Sequence, residues 1–413
     1  MILRKTSPFF IPFILSLFFI GCGAQTTQNN QKNTVPKENT ETMMQHQNTF
    51  AFRLFEQAIQ TDAANNNKLI SPLSIYMDFA MLYNGASGET KKAMQEALYI
   101  KPGSLDQLNR MQASLMNELP KADSSVTINV ANAIWHRMDL TPKAKFLSTN
   151  QQYFNATIEA ADFGNPKTIS AINNWVSKNT QGKIPSLVDQ ISPGEVMFLL
   201  NAVYFKGTWT DGFNSRHTHD AVFHTATEGK RHSFMFKDDS FNYFKNEDLK
   251  IAELPYGNGS FSMFVILPSE KNDLYKVAEQ LNPESFSDLT SEMNKTPLKL
   301  FLPKWETSYS ADNLKENLTA MGMGIAFQNR ADFSELFATE STKISQIKHK
   351  TYIKVDEEGT EAAAATSIGM VTTSMPATPI EEMRVNRPFI YLITERNTGA
   401  VLFIGTVDDP TKS

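Results

Sequence analysis

The residues with chemistry to offer are few and scattered. One cysteine, Cys22, stands in 413 residues, so no intramolecular disulfide closes, and zinc and iron–sulfur frameworks need more ligands than one thiol. His217, His219 and His224 lie close together. On a strand His217 and His219 would share a face and His224 would not, and no carboxylate or thiolate set accompanies them, so no metal site is expected. Gly85-Ala86-Ser87-Gly88 lacks the Gly-x-Ser-x-Gly spacing of a nucleophile elbow, and no Gly-x-x-x-x-Gly-Lys phosphate loop occurs. With no visible nucleophile and base, the sequence predicts neither an enzyme nor a cofactor.

The informative segment works through its backbone. Residues 356–379 read Asp-Glu-Glu-Gly-Thr-Glu-Ala-Ala-Ala-Ala-Thr-Ser-Ile-Gly-Met-Val-Thr-Thr-Ser-Met-Pro-Ala-Thr-Pro. Propensity alone makes Glu361 to Ala365 helical, and composition alone makes the stretch a flexible loop. A period of two suggests a third state. Thr360, Ala362, Ala364, Thr366, Ile368, Met370 and Thr372 are small or apolar, while the alternate positions carry the only charge, Glu361. Such a strand, even face inward, would bury no ionised group. No proline interrupts it between Gly359 and Met375, so every N–H there is free to join a ladder, and Gly359 supplies a hinge. The same residues suit an exposed loop and a central strand.

The elements that must position this segment are spread along the chain. With 39 Lys+Arg, 44 Asp+Glu and a net charge of −5, the composition is that of a globular protein with no electrostatic pull toward nucleic acid. Arg4 and Lys5 precede an apolar run from Phe9 to Ile20, too short to span a bilayer. Phe19-Ile20-Gly21-Cys22 resembles a bacterial lipoprotein box, with Phe19 departing from its usual leucine. The expectation is a signal peptide over 1–21, a lipidated Cys22 and a disordered polar tether over 22–45. A plain signal peptide cut nearby is the alternative. The protein would be exported as a cell-envelope lipoprotein, at the outer membrane or cell surface, or released outside.

One large domain, 46–413, is expected to follow. Apolar residues at helical spacing flank Gly88-Glu89-Thr90-Lys91-Lys92 between Ala80 and Ala97. Strand patterns cover Ser125–Val130, Val196–Phe205 (apolar but for Asn201), Phe261–Leu267, Pro388–Ile393 and Val401–Gly405. Strands and helices mix without strict alternation, which predicts α+β with mostly antiparallel sheets.

Glu357-Glu358-Gly359-Thr360-Glu361-Ala362-Ala363-Ala364-Ala365-Thr366 resembles the hinge of the reactive-centre loop in inhibitory serpins. Asn67–Ile75, Gly85–Thr90, Asn201–Trp209 and Met383–Ile393 resemble further blocks of that family. The resemblance implies three β-sheets, eight to nine helices and an exposed reactive-centre loop over about 357–383. It implies suicide trapping: a target serine protease forms an acyl ester with the loop, which then inserts into the central sheet. The family spacing puts the reactive bond at Thr373–Ser374, with Thr372 or Val371 as alternatives because the loop runs about four residues long.

No Lys or Arg occurs between Gly359 and Met383, so elastase-like or subtilisin-like targets are expected. Met370 and Met375 leave chymotrypsin-like cleavage open, and papain-like cysteine proteases are a further class. The resemblance assigns Ser71, Ser74, Asn201 and His349 to a polar cluster that controls sheet opening. An ordinary strand histidine is the plainer reading of His349. Lys304 and Glu357 are expected to pair near Trp209. The expected partners are a protease, held as a covalent acyl complex by a monomeric inhibitor, and a membrane through the lipid; a serpin-fold binding protein is the competing reading.

Overall fold

Polar side chains lie on one face of the first helix and apolar ones on the other, and this pattern sets where the folded domain starts. In the computed structural model, which describes residues 37–61, 66–270, 273–337, 342–361 and 380–412, that helix is α1 (Lys37–Thr61). Met44, Phe50, Leu54 and Phe55 are buried, and the buried Gln47 accepts from the Gln112 amide at 2.9 Å. The expected tether is therefore corrected: residues 37–45 are helical. Between Thr40 and Gln47 only Met44 and Gln47 are buried, which leaves the other positions there free to be polar. Residues 22–36 and Cys22 lie outside the described residues.

The remaining helices are α2 (Pro72–Tyr83), α3 (Gly88–Ala97), α4 (Leu105–Glu118), α5 (Ala144–Phe154), α6 (Pro166–Asn179), α7 (Leu274–Gln280), α8 (Pro283–Ser291) and α9 (Leu314–Leu318). The single periodic run over Ala80–Ala97 is two helices, parted at Asn84–Ser87. Helix α2 starts where Pro72 occupies its first turn and the Ser71 hydroxyl accepts from the Ser74 N–H at 3.3 Å.

The first strands are β1 (Lys68–Ile70), β2 (Val126–Arg137), β3 (Thr157–Ala161), β4 (Met197–Thr208) and β5 (His219–His224). Then come β6 (Gly229–Lys245), β7 (Leu249–Tyr256), β8 (Phe261–Pro268), β9 (Asn294–Pro303) and β10 (Trp305–Ser310). Last are β11 (Lys350–Asp356), β12 (Gly359–Thr360), β13 (Glu381–Arg384), β14 (Phe389–Glu395) and β15 (Val401–Val407).

The central sheet runs β10-β11-β12-β4-β2-β3. The other ladders form one nine-stranded network through β6, which pairs with β5 and β9 over most of its length and with β7 over Asn242–Lys245. Two of the three expected sheets are thus joined by one long strand. The fold is α+β, with nine α-helices among the described residues.

Both faces of β4 are covered. Phe205 joins the main core, with Met197, Leu199 and Val203 packed against it. Phe198 and Leu200 join a smaller core with Trp135, Ile172 and Val176, beneath α6. The expectation of a strand buried on two sides matches this placement. The reactive-centre loop expected over about 357–383 has its described ends in sheets: Gly359–Thr360 in β12 and Glu381–Arg384 in β13, parallel to β9.

Candidate functional site at the head of the central sheet

The two residues of β12 fill the space between β11 and β4. Gly359 lies opposite Asp356 on one side and Thr208 on the other; Thr360 lies opposite Val355 and Gly207. Position 359 has φ +148, and a Cβ there would sit 2.0 Å from the Gly207 carbonyl oxygen, so only glycine fits. Thr360 points into the core with 1% of its surface exposed, and its hydroxyl is 2.6 Å from that of Tyr256. Tyr256 is fully buried, stacks on Trp209 at 4.4 Å and 16°, and meets the Phe205 ring edge-on at 5.1 Å. Burial pushes the Tyr256 phenol far above its ordinary value, so it stays neutral and hydrogen-bonds as a hydroxyl.

The chain leading into β12 is pinned from one side. The Trp209 N–H donates to the Glu358 carbonyl at 2.9 Å, its indole Nε1 to the Asp356 carbonyl at 3.0 Å, and the Phe213 N–H to the Glu357 carbonyl at 2.8 Å. The Glu357 carboxylate accepts from Lys304 Nζ at 2.9 Å and from the Thr218 hydroxyl at 2.7 Å. Burial raises the Glu357 carboxyl, but these two partners outweigh it and hold the group below its ordinary value.

Beyond Thr360 the chain leaves the ladder. Glu361 has φ +56, donates its N–H to the Lys354 carbonyl at 3.1 Å, and sets its side chain 3.5 Å from Lys183 with 3% exposed. The sequence reading had this carboxylate on an outward face. The second face of the sheet is covered as well, and burial raises Glu361 above its ordinary value, offset in part by Lys183.

Lower down, the polar cluster divides. The Ser71 N–H donates to His349 Nε2 at 3.1 Å and its hydroxyl to the Leu402 carbonyl at 2.9 Å, while Ser74 completes the α2 cap. Because Nε2 accepts, His349 is neutral here, and burial lowers its pKa to about 4. Asn201 on β4 bonds instead to Asn132, Nδ2 to Oδ1 at 2.6 Å. Asn132 in turn donates to the Phe154 carbonyl at 2.7 Å. Among the described residues β4 pairs only with β2 and, at its last two residues, with β12. Among the described residues, no strand pairs with β4 over Met197–Lys206 on the side opposite β2.

The structure thus joins Ser71, Ser74 and His349, joins Lys304 and Glu357, and places Trp209 against both Glu358 and Tyr256. Tyr256, Asn132 and Lys183 were not foreseen. Asn132 carries a signal only once the β2–β4 register sets it opposite Asn201; nothing local marks Tyr256. His217 and His219 lean on Phe236 and Phe301, and no three His, Cys, Asp or Glu groups among the described residues are placed to hold a metal. Ala362, Ala363, Ala364, Ala365, Thr366, Val371, Thr372, Thr373 and Ser374 lie outside the described residues.

Among the described residues the arrangement holds no catalytic constellation; Gly359 and Thr360 fill the head of the central sheet between β11 and β4. The family model for serpins, serine protease inhibitors, matches residues 45–410. A serpin-like protein of Thermococcus kodakarensis is 33% identical over 372 residues, covering 88% of this chain and 84% of that one. The leukocyte elastase inhibitor of Xenopus laevis is 33% identical over 381 residues, covering 87% and 97%. Among solved structures, the thermophilic serpin tengpin in its native state superposes with a TM-score of 0.82 at 32% identity over 91% of this chain and 95% of its own. Human thyroxine-binding globulin complexed with thyroxine gives 0.81 at 25% identity over 90% and 99%. The model spans nearly the whole described domain, and the chain belongs to the serpin family.

Proposed function

We propose that this protein inhibits serine proteases by trapping them, its reactive-centre loop being cut and drawn into the central sheet. Serpins act on proteases as inhibitors rather than as enzymes. In this reading the protease serine attacks the carbonyl of Thr373, forms an acyl ester with it and releases the amine of Ser374. The ester must then survive long enough for the severed strand to insert.

The observation that carries the reading is the seat of Gly359 and Thr360 between β11 and β4. Their register, continued, would set Ala362 between Phe205 and Ile353, Ala364 between Val203 and Thr351, and Thr366 between Asn201 and His349. Every core-facing position would then receive a small or apolar side chain. Fourteen residues from Thr360 to Thr373, at roughly 3.3 Å each, would carry the protease about 46 Å. Its oxyanion hole and triad would lose their alignment there, and deacylation would stall.

The leukocyte elastase inhibitor relative and the absence of Lys and Arg from Gly359 to Met383 favour elastase-like or subtilisin-like targets. Lipidation at Cys22 would hold a monomeric inhibitor at the cell envelope through residues 23–36. The test is incubation with pancreatic elastase and with subtilisin. A complex that survives SDS supports trapping. Cleavage without an adduct favours a serpin-fold binding protein, a reading that the likeness to thyroxine-binding globulin keeps in view.

A further inference from the structure

One carboxylate at the head of the central sheet is buried on the sheet's second face. The side chain of Glu361 is 3% exposed there, and its Oε2 lies 3.5 Å from Nζ of Lys183, in the chain that follows α6. Tyr204 of β4 hydrogen-bonds the same carboxylate through its hydroxyl, and Lys206 acts on it by charge alone. Removing the cation from such a pair is strongly destabilising, because the carboxylate left behind has neither water nor a counter-charge.

The reach of Lys183 is fixed by the chain that carries it. Helix α6 is followed by Gln181 and Gly182, both at positive φ, and the Gly182 N–H closes back on the Ser177 carbonyl at 2.7 Å. The Lys183 N–H donates to the Thr180 carbonyl at 2.9 Å, and the Ile184 N–H to the Thr180 hydroxyl at 3.1 Å. Further on, Oδ1 of Asn173 in α6 accepts from the Leu187 and Val188 N–H groups at 2.8 and 2.9 Å. Its Nδ2 donates to the Val188 carbonyl at 2.7 Å, and Ile184 and Val188 are buried in the smaller core. Lys183 thus stands on an anchored backbone, with Nζ 4.8 Å from the centroid of the Tyr352 ring on β11. Tyr352 in turn donates to Glu306 of β10 at 2.9 Å. The ammonium is steered between an aromatic face and the hinge carboxylate.

We propose that Lys183 is a positioning residue for the reactive-centre loop: paired with Glu361, it retains Gly359–Glu361 at the sheet head and ties the hinge to the connection after α6. The proposal rests on the inhibitory reading above. The Glu361 N–H on the Lys354 carbonyl and the Thr360 hydroxyl beside Tyr256 hold the hinge from within the sheet. Lys183 holds it from outside. A hinge that has left the head must regain its seat before a strand is drawn in, and the delay gives the protease time to deacylate.

The test compares the full-length wild type with Lys183→Met, which keeps the aliphatic stem, and Lys183→Arg, which keeps the charge. Glu361→Gln and the double variant carrying Lys183→Met and Glu361→Gln complete the set. Hydrogen-exchange protection is read over residues 356–361 and 184–188, and inhibitor consumed per protease trapped is read with subtilisin. Lys183→Met is expected to lose about tenfold of the protection at 356–361 and none at 184–188, and to consume several-fold more inhibitor. Lys183→Arg should restore both quantities to within about threefold of wild type. In the Glu361→Gln background, where no charge is buried, Lys183→Met should change protection less than about twofold. Equal losses with and without the Glu361 charge, or loss over 184–188 as well, would mean that Lys183 only braces its own connection, and the proposal falls. A loosened hinge with unchanged inhibitor consumption overturns its bearing on trapping. If the wild type itself forms no adduct that survives SDS, the inhibitory reading fails, and hydrogen exchange still decides whether Lys183 holds the hinge.

Discussion

The hydroxyl of Thr360 sits 2.6 Å from that of Tyr256, which itself stacks on Trp209 at 4.4 Å. A loop residue is therefore fastened to a buried aromatic pair that is part of the body of the protein. This couples three things that a sequence lists far apart: the hinge, the strand β7 that ends at Tyr256, and the indole that also holds the Asp356 carbonyl.

Thr360→Arg should convert inhibitor into substrate. A guanidinium has no partner in the pocket formed by Tyr256, Phe205 and Val355, and burying it unpaired costs several kcal/mol. The expected result is full cleavage of the loop with no SDS-stable adduct, at an unchanged initial rate of cutting. Inhibition at the wild-type stoichiometry would contradict insertion through the sheet head.

Tyr256→Phe removes the phenolic oxygen while keeping the ring that stacks on Trp209. The hinge should be held less tightly by about 1 kcal/mol, the usual net value of such a bond. Gly359→Ala should act more strongly, since its Cβ would meet the Gly207 carbonyl and its φ is left-handed. Both should shift the emission of Trp209 to longer wavelength, the glycine variant further, as the hinge leaves and water reaches the indole. An unchanged spectrum for Gly359→Ala would mean that the seat does not hold the hinge in solution.

His349 predicts an acid limit to stability. Its folded pKa of about 4 lies below the unfolded value of about 6.5, so the unfolded chain binds the proton first. Its contribution is complete above pH 6.5 and is lost as pH falls toward 4, up to about 3 kcal/mol. Denaturant midpoints measured across that window should show the loss. In His349→Leu the Ser71 N–H goes unpaired, costing about 1–3 kcal/mol at neutral pH, and the slope from this site should vanish. A wild-type curve that is flat from pH 6.5 to 4 would disprove the assignment.

Much of this was legible from residue order alone, and the limits have physical causes. The strands at Val196–Phe205, Phe261–Leu267 and Val401–Gly405 were readable because burial on both faces leaves long apolar runs. The hinge was readable because its alternation runs unbroken by proline. The bond between Thr360 and Tyr256 was not, since it joins residues 104 positions apart and depends on strand order. Asn201 was placed with Ser71 and His349, yet it pairs with Asn132, a partner that only the β2–β4 register brings opposite it. The early start of α1 was hidden by a helix whose exposed side chains, Glu41, Thr42, Gln45, Arg53, Gln60 and Thr61, are all polar.

Thr373→Arg should move the target class without touching the trap. The present loop offers no basic side chain between Gly359 and Met383, so a protease whose pocket demands one has nothing to bind. The substituted residue would lie at the far end of the inserted strand, where it follows the protease and never has to enter the core at the Thr360 seat. Trypsin should then form an SDS-stable adduct, and mass spectrometry should place the cut after residue 373. Elastase trapping should fall at least tenfold, because the small pocket that accepts threonine excludes arginine. If trypsin cuts at 373 without forming an adduct, while elastase still traps the wild type, the spacing from the hinge to the reactive bond is wrong. The scissile residue would then be Thr372 or Val371, and the same substitution at those positions would locate it.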